Sequence, residues 1–164
     1  MKSTLHKTQN DLPKKARIKA IELLNQNLAG IIDLGLQAKQ AHWNVKGPHF
    51  IGLHELFDKV AEELEEFTDS IAERAVELGG TALGTVQVVS KYSRLAAYPL
   101  DLSSGQEHVG ALSSALEKFG ASTRAAIDKA AKFGDADTAD LFTEVSRGVD
   151  KFLWMVEAHQ QSKD

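Results

Sequence analysis

The sequence predicts an all-α protein, a four-helix bundle with one long connection between its second and third long helices. Two observations carry this prediction. Apolar residues recur at spacings of three and four along most of the 164-residue chain, which is typical of amphipathic helices. Turns rich in glycine or proline divide these stretches, and they are short after the first and third helix but long after the second. Short turns make the helices they join antiparallel neighbours.

The first long helix is predicted from Lys14 to near Val45, where Gly47-Pro48 stops it. The second is predicted from about Ile51 to Leu78, because the apolar period persists to that point and Gly79-Gly80 follows. These two helices therefore form the first antiparallel pair.

The segment Thr81–Ser103 has β-branched and proline residues and no sustained helical period, so it predicts a long connection with one short helix near Val86–Ser90. A third long helix is expected from Ser104 to about Lys132. A fourth follows a glycine-containing turn, with Asp137 or Thr138 as its N-cap. Such a long middle connection permits a topology with a single crossover.

The composition is that of one ordinary globular domain, with 43% hydrophobic and 26% charged residues. The absence of cysteine excludes disulfides, thiolate metal sites and a cysteine nucleophile. No stretch approaches the roughly 20 apolar residues of a membrane span, and the N-terminus lacks the apolar segment of a secretory signal. We therefore expect a cytoplasmic protein without membrane contact.

Charge is unevenly distributed along the chain. The formal net charge is −4, but residues 1–19 carry six basic side chains against Asp11, so the remaining residues carry −9. The first dozen residues are polar and end at Pro13. This pattern predicts a basic, flexible N-terminal arm over residues 1–13, followed by a bundle domain over residues 14–164.

Four potential metal ligands on the second helix are spaced palindromically. His54 and Asp58 are four residues apart, Asp69 and Glu73 are four residues apart, and the two pairs share one midpoint. Because four residues turn an α-helix by roughly 400° and eleven by roughly 1100°, all four side chains fall on one stripe. The stripe therefore concentrates imidazole and carboxylate groups on a single face.

One copy of this helix cannot close these ligands around one metal ion, since Asp58 and Asp69 are ~16 Å apart along the axis. Two antiparallel copies related by a two-fold axis through the midpoint bring His54 level with Glu73 of the second copy. The same operation brings Asp58 level with Asp69 of the second copy. The spacing thus predicts two identical metal sites shared across a homodimer interface.

A solvated acidic face is the usual explanation of a helix this rich in carboxylates, and this alternative stays open. Against it, Glu62 and Glu65 extend the same stripe, and such a concentration of like charge is repulsive in water. The other side of the helix is apolar enough to face a core: Leu53, Leu56, Phe57, Val60, Leu64, Phe67 and Ile71. The acidic stripe is then a second face of the helix. If another protein surface buries this face, a bound cation offsets the cost of burying its charges.

His42 is the fifth potential ligand. A single histidine on a helix is more often structural or exposed, but the Gly47-Pro48 turn folds the end of the first helix back towards His54 and Asp58. Imidazole and carboxylate ligands suit iron, manganese or zinc. The chain has no Glu-x-x-His sequence, which disfavours a di-iron centre built within one subunit.

At these residues the sequence resembles the Dps family of ferritin-like mini-ferritins. The matching stretches are KQAHWNVKGPHFIGLHELFD (Lys39–Asp58), DSIAERAVELGGTALGT (Asp69–Thr85), YPLD (Tyr98–Asp101) and TADLFTEVSRGVDKFLWMVEAH (Thr138–His159). The resemblance spans nearly the whole chain.

The resemblance implies a ferritin-like fold and a hollow shell of twelve subunits that oxidises Fe(II), preferentially with hydrogen peroxide, and stores ferric mineral. The resemblance also implies that the protein needs iron and no organic cofactor. The implied ferroxidase ligands are His42, His54 and Asp58 of one subunit with Asp69 and Glu73 of its mate. Trp43, beside the site, is implied as an electron donor and radical quencher.

Further residues are weaker candidates for iron handling. Glu62 and Glu65 depart from the family pattern and are either iron relays, nucleation carboxylates or surface residues. Near the start of the fourth helix an acidic group could line the three-fold pores that the family uses, or only cap the helix: Asp135, Asp137, Asp140 and Glu144. The remaining histidines show no partner pattern and are expected to be structural or exposed: His6, His49, His108 and His159.

DNA binding is a separate question. The basic arm has no aromatic residue, so binding would be directed at phosphates, independent of sequence and sensitive to salt. Twelve arms would add by avidity, whereas the acidic body and an arm folded onto the shell would oppose binding. Three functions therefore compete: an iron-oxidising cage, a nucleoid-compacting DNA-binding protein, and a structural oligomer without chemistry.

Overall fold

The structure is a computed structural model that describes residues 5–161. Within that range it contains helices and no β-strand, as the sequence predicts. The helices are α1 (Lys14–Asn44), α2 (Phe50–Glu77), α3 (Val86–Tyr92), α4 (Gly105–Phe133) and α5 (Ala136–Glu157). The bounds of α1, α2 and α4 agree with the prediction to within about one residue, α3 runs two residues beyond the predicted Ser90, and α5 begins earlier than predicted. None of the helices in the described range is long and apolar enough to cross a bilayer.

The four long helices form a bundle in which α1 packs on α2 and α4, and α5 packs on α4 and α2. Backbone hydrogen bonds join the turn after α1 to the start of α4, from Lys46 N to Ser103 O (3.0 Å) and from Gly105 N to Lys46 O (3.1 Å). The end of α1 and the start of α4 therefore lie at one end of the bundle, here called the turn end. The connection between α2 and α4 must run the whole length of the bundle to reach it.

The predicted apolar face of α2 forms much of the core. Six of its seven residues are buried and Leu56 is partly buried. On α1 the apolar residues Ile21, Leu24, Leu28 and Ile31 are buried, whereas Ile18 is 40% exposed. Burial of these side chains, each contributing roughly 1.5–3 kcal/mol, is what holds the helices together.

The N-cap of α5 is Asp135, and the prediction of Asp137 or Thr138 is wrong. Gly134 adopts the left-handed conformation that ends α4 (φ 80°), and the helix restarts one residue later. The Asp135 side chain accepts a hydrogen bond from Thr138 N at 3.0 Å. Asp137 already lies inside the first turn, with 85% of its side chain exposed. The turn is therefore tighter than the predicted one.

A buried ion pair joins α2 to this turn. The Arg74 guanidinium donates to Asp135 Oδ1 (2.9 Å) and to the Thr138 hydroxyl (3.1 Å), and Asp135 is 1% exposed. Removing one partner of such a pair leaves a buried charge uncompensated. The pair fixes the end of α2 that carries Glu73.

Residues 5–13 lie against the bundle at the opposite end from the turn end. His6 N donates to Gly79 O (2.7 Å), and Arg17 donates to the carbonyls of Leu12 (3.2 Å) and Leu78 (3.0 Å). A Cβ on Gly79 would come within 2.7 Å of His6 O, so glycine is required for this contact. Residues 1–4, with Lys2, lie outside the described residues, and the flexibility of the arm stays a prediction.

The crossover is fastened to α1 by amide side chains. Asn25 donates to Thr81 O (3.0 Å), Gln26 to Tyr92 O (2.8 Å) and Gln37 to Ala96 O (3.0 Å). These bonds occupy crossover carbonyl groups that no helix or strand uses. The crossover is therefore held in a fixed position along α1.

Near the turn end, the crossover meets α4 through a buried histidine. The Tyr98 hydroxyl and His108 Nδ1 are 2.8 Å apart, and His108 is 1% exposed. Burial lowers the pKa of His108, and it outweighs the Glu107 carboxylate, which acts in the opposite direction. His108 thus has a partner that its sequence context does not reveal, and it folds as a neutral ring.

A glycine in α5 provides a test of the helix packing. A Cβ on Gly148 would lie 2.5 Å from the Phe67 ring, whereas one on Gly110 in α4 would meet only Gln160 Nε2 at 3.5 Å. We expect Gly148→Ala to lower the free energy of unfolding by about 1–2 kcal/mol, because the strain exceeds the gain in helix propensity. The control Gly110→Ala should raise it by about 0.5–1 kcal/mol in chemical denaturation. Stabilisation by both substitutions would contradict the packing.

The lowered pKa of His108 predicts an acid-sensitive contribution to stability. The unfolded chain binds a proton at His108 near its ordinary pKa of 6.5, and the folded chain resists it. Stability from this group is therefore complete above about pH 6.5 and is lost as the pH falls below that value. The variant His108→Gln should lose this part of the pH dependence in urea unfolding at pH 7.5 and pH 5.5, whereas the exposed-site control His49→Gln should keep it. An unchanged slope in His108→Gln would refute the assignment.

Candidate metal centre

The turn between α1 and α2 brings two predicted ligands together. Gly47 takes a positive φ of 112°, and Phe50 N donates to its carbonyl at 3.1 Å, so the chain reverses within five residues. His42 in the last turn of α1 then faces His54 in the second turn of α2. Their rings stack with centroids 3.8 Å apart and planes inclined by 23°.

Two reciprocal hydrogen bonds fix the orientation of these rings. His42 Nδ1 lies 2.8 Å from His54 O, and His54 Nδ1 lies 2.9 Å from His42 O. Because a carbonyl oxygen only accepts, each Nδ1 carries a proton and donates it. In the neutral rings the lone pair is therefore on Nε2 of both histidines. A backbone carbonyl that holds one ring nitrogen in this way orients the other for a metal ion.

Asp58 lies one turn beyond His54, near the Nδ1 side of the His42 ring. Its Oδ1 lies 4.0 Å from His42 Nδ1, and its carboxylate is bonded to the Lys39 ammonium. The Lys39 hydrogen bond lowers the pKa of Asp58, with smaller contributions from the charges of His42 and His54. The carboxylate is thus held anionic beside the imidazoles by a cation that a metal ion can replace.

Asp69 and Glu73 do not join this group within one chain. Both are exposed on the last third of α2, near the end of the bundle that holds Gly79. In residues 5–161 no three histidine, aspartate or glutamate side chains lie close enough together to hold a metal ion. One chain therefore carries the two predicted half-sites towards opposite ends of α2, and neither is complete by itself.

Between the half-sites, α1 and α2 border a shallow groove of about 300 Å³. Glu62 and Glu65 line it, and both are exposed. Beside it α1 presents Leu36, which is 55% exposed, and one helical repeat later Trp43, which is 65% exposed. Large apolar side chains next to exposed carboxylates are typical of a surface that another protein covers.

The acidic group near the start of α5 is only partly available. Asp135 caps α5 and is buried against Arg74 and Thr138, which agrees with the capping alternative and makes it unavailable to line a pore. The remaining three residues are exposed and share one helix face: Asp137, Asp140 and Glu144. They retain the predicted concentration of negative charge.

Sequence reasoning missed Lys39. Its position three residues before His42 places it one helical turn away on the same face, which is the signal that could have revealed it. A lysine next to a proposed cation site looks unfavourable until its partner is known. The structure shows that Asp58 is this partner.

The Ferritin-like domain family model matches residues 21–163. A DNA protection during starvation protein of Agrobacterium fabrum is 50% identical over 158 residues, covering 96% of this chain and 98% of that protein. The protein of the same name from Mycolicibacterium smegmatis is 34% identical over 141 residues, covering 86% of this chain and 76% of that protein.

Solved structures agree with this similarity. DpsA14 from Streptomyces coelicolor superimposes with a TM-score of 0.93 at 33% identity, covering 99% of this chain and 96% of that one. Dps from Mycobacterium smegmatis superimposes with a TM-score of 0.90 at 32% identity, covering 99% of this chain and 96% of that one. The predicted ferritin-like bundle with a short helix in its crossover is confirmed, and the chain belongs to the Dps family.

Proposed function

We propose that this protein binds and oxidises Fe(II) at sites shared between two subunits and stores the ferric product. The observation that carries the proposal is the close approach of His42 and His54, with Asp58 one turn beyond them on α2. Two imidazoles with Nε2 lone pairs and one carboxylate form a ligand set suited to Fe(II). The relatives and the ferritin-like fold support iron as the metal.

Completion of the site needs a second copy of the chain. Asp69 and Glu73 are ~16 Å or more from Asp58 along α2 and exposed, so they are free to serve a neighbour. An antiparallel α2 of a second subunit would place them beside His54 and Asp58, and the groove with Leu36 and Trp43 would be covered. The same contact buries apolar surface and completes two sites.

The ligand set favours oxidation because it stabilises the product more than the substrate. Carboxylates from both subunits add negative charge around the ion, and Fe(III) gains more from this charge than Fe(II) does. Two Fe(II) ions give one electron each to one hydrogen peroxide molecule, which with two protons becomes two water molecules. Consuming both reactants prevents hydroxyl-radical formation. Trp43, next in sequence to a ligand, is placed to donate an electron when only one iron is present.

The full assembly that we propose is a twelve-subunit cage with the mineral inside. The exposed group Asp137, Asp140 and Glu144 would attract Fe(II) towards pores by its negative charge. Glu62 and Glu65, between the half-sites, would pass iron on or nucleate mineral. We expect the protein in the cytoplasm, where Fe(II) and peroxide meet DNA.

Protection of DNA, which the names of the relatives state for those proteins, then follows from the iron chemistry itself. Direct DNA binding through the basic arm is the alternative. The contacts of His6 and Arg17 hold residues 5–13 against the bundle, which favours the iron function over it.

The double variant His42→Gly/His54→Gly tests the proposed site. Loss of both imidazoles should slow ferric absorbance after anaerobic addition of Fe(II) and peroxide by more than about tenfold. His159→Gly, which changes an exposed histidine that is not a predicted ligand, should oxidise iron at the wild-type rate. Sedimentation should show the same oligomer in all three proteins. A normal rate in the double variant would remove the assignment.

Lys39 provides a second test, because its ammonium competes with a metal ion for Asp58. In Lys39→Met the affinity for Co(II), titrated without oxidant, should rise by about two- to fivefold, as expected for loss of an exposed ion pair. Lys151→Met, far from the site on α5, should leave the affinity unchanged. Weaker binding by Lys39→Met would show that Lys39 supports the metal site instead.

A further inference from the structure

A cavity of about 340 Å³ lies between α1, the crossover and α4. Asn27 and Gly30 of α1 line it, and Asn27 points almost opposite to Leu36 and Trp43 around the helix. Pairing of subunits through the α1–α2 face therefore leaves this cavity uncovered. Hydrogen bonds from the side-chain amides of Gln26 and Gln37 hold the crossover side of the cavity in place, so the cavity exists without a ligand.

The charge lining the cavity is entirely positive. Arg94, Lys118 and Lys129 surround it, and no carboxylate lines it. Within residues 5–161 none of these three side chains forms an ion pair. On a body that carries −9 beyond residue 19, a carboxylate-free group of three unpaired cations favours an anionic ligand.

The floor of the cavity is apolar, and it contains one unsatisfied acceptor. Gly30, Leu95 and Phe119 line the floor. Asn27 is 3% exposed, its amide nitrogen donates to Leu23 O at 2.9 Å, and its Oδ1 has no partner in the described part of the chain. A buried acceptor without a donor costs about 1–3 kcal/mol, and because Asn27 Oδ1 is closed to solvent, a ligand N–H or O–H gains this contact only when the amide turns towards the cavity.

We propose that this cavity binds a small amphipathic organic anion. The ligand has an apolar body on Leu95 and Phe119, a carboxylate, sulfonate or phosphate group beside the three cations, and one hydrogen-bond donor for Asn27. Mixed apolar and convergent polar lining in a preformed cavity is the usual character of small-molecule sites. The site is separate from the metal centre and does not depend on iron chemistry.

Titration of the assembled protein with 8-anilinonaphthalene-1-sulfonate tests the proposal, because this fluorescent probe has an aromatic body, a sulfonate and one N–H. We expect one cavity-bound probe per chain. Lys118→Gln/Lys129→Gln should weaken binding about tenfold, and Ala121→Trp, which fills the cavity from its exposed rim, should abolish it. The control Lys132→Gln/Lys151→Gln removes the same charge outside the cavity and should bind normally.

Competition identifies the anionic group. Salicylate offers a carboxylate with a hydroxyl and phenyl phosphate offers a phosphate monoester, and displacement by either supports the site and shows which group it prefers. Inorganic phosphate at the same concentration should not displace the probe, because it has no apolar body. Equal displacement by inorganic phosphate, or unchanged probe binding in folded, assembled Lys118→Gln/Lys129→Gln and Ala121→Trp, would overturn the proposal.

Discussion

Two hydrogen bonds from imidazole rings to backbone carbonyls determine the geometry of the proposed metal centre. They join the last turn of α1 to the second turn of α2, so the same contacts that close the first helical hairpin also orient His42 and His54. Because Nδ1 is committed to the backbone, the lone pairs are presented on Nε2 without further support. Folding of the hairpin and preparation of the half-site are one event.

The length of α2 accounts for the rest of the proposed site. Two residues eleven positions apart on a helix share one face, but they are separated by ~16 Å along its axis. The chain therefore cannot bring Asp58 and Asp69 to one metal ion without a second copy. The two half-sites are anchored differently. The imidazoles are held by the turn after α1, and the end of α2 near Glu73 is held by the buried Arg74–Asp135 pair. Both anchors leave the α1–α2 face open for a second copy.

Sequence periodicity was sufficient for the long helices, because it depends on spacing along one element, whereas the ligand assignment stays a prediction. Periodicity failed where contacts join distant elements. The Asp135 cap depends on Arg74 of α2, 61 residues away, and the docking of residues 5–13 depends on the space beside Gly79. The roles of Lys39 and His108 depend in the same way on partners in other elements, Asp58 and Tyr98, and only Lys39 has a sequence signal, its position one turn before His42.

The crossover also determines at which end of the bundle each terminus lies. Four bundle helices and one crossover make five passages along the bundle, so the termini lie at opposite ends: His6 is bonded beside Gly79, and His159 beside Gln106 at the turn end. At ~1.5 Å per residue a helix of this length spans roughly 40 Å. A circularly permuted chain would therefore need a linker of about a dozen extended residues to join its old termini. Peptides fused to the two termini of one subunit would emerge far apart.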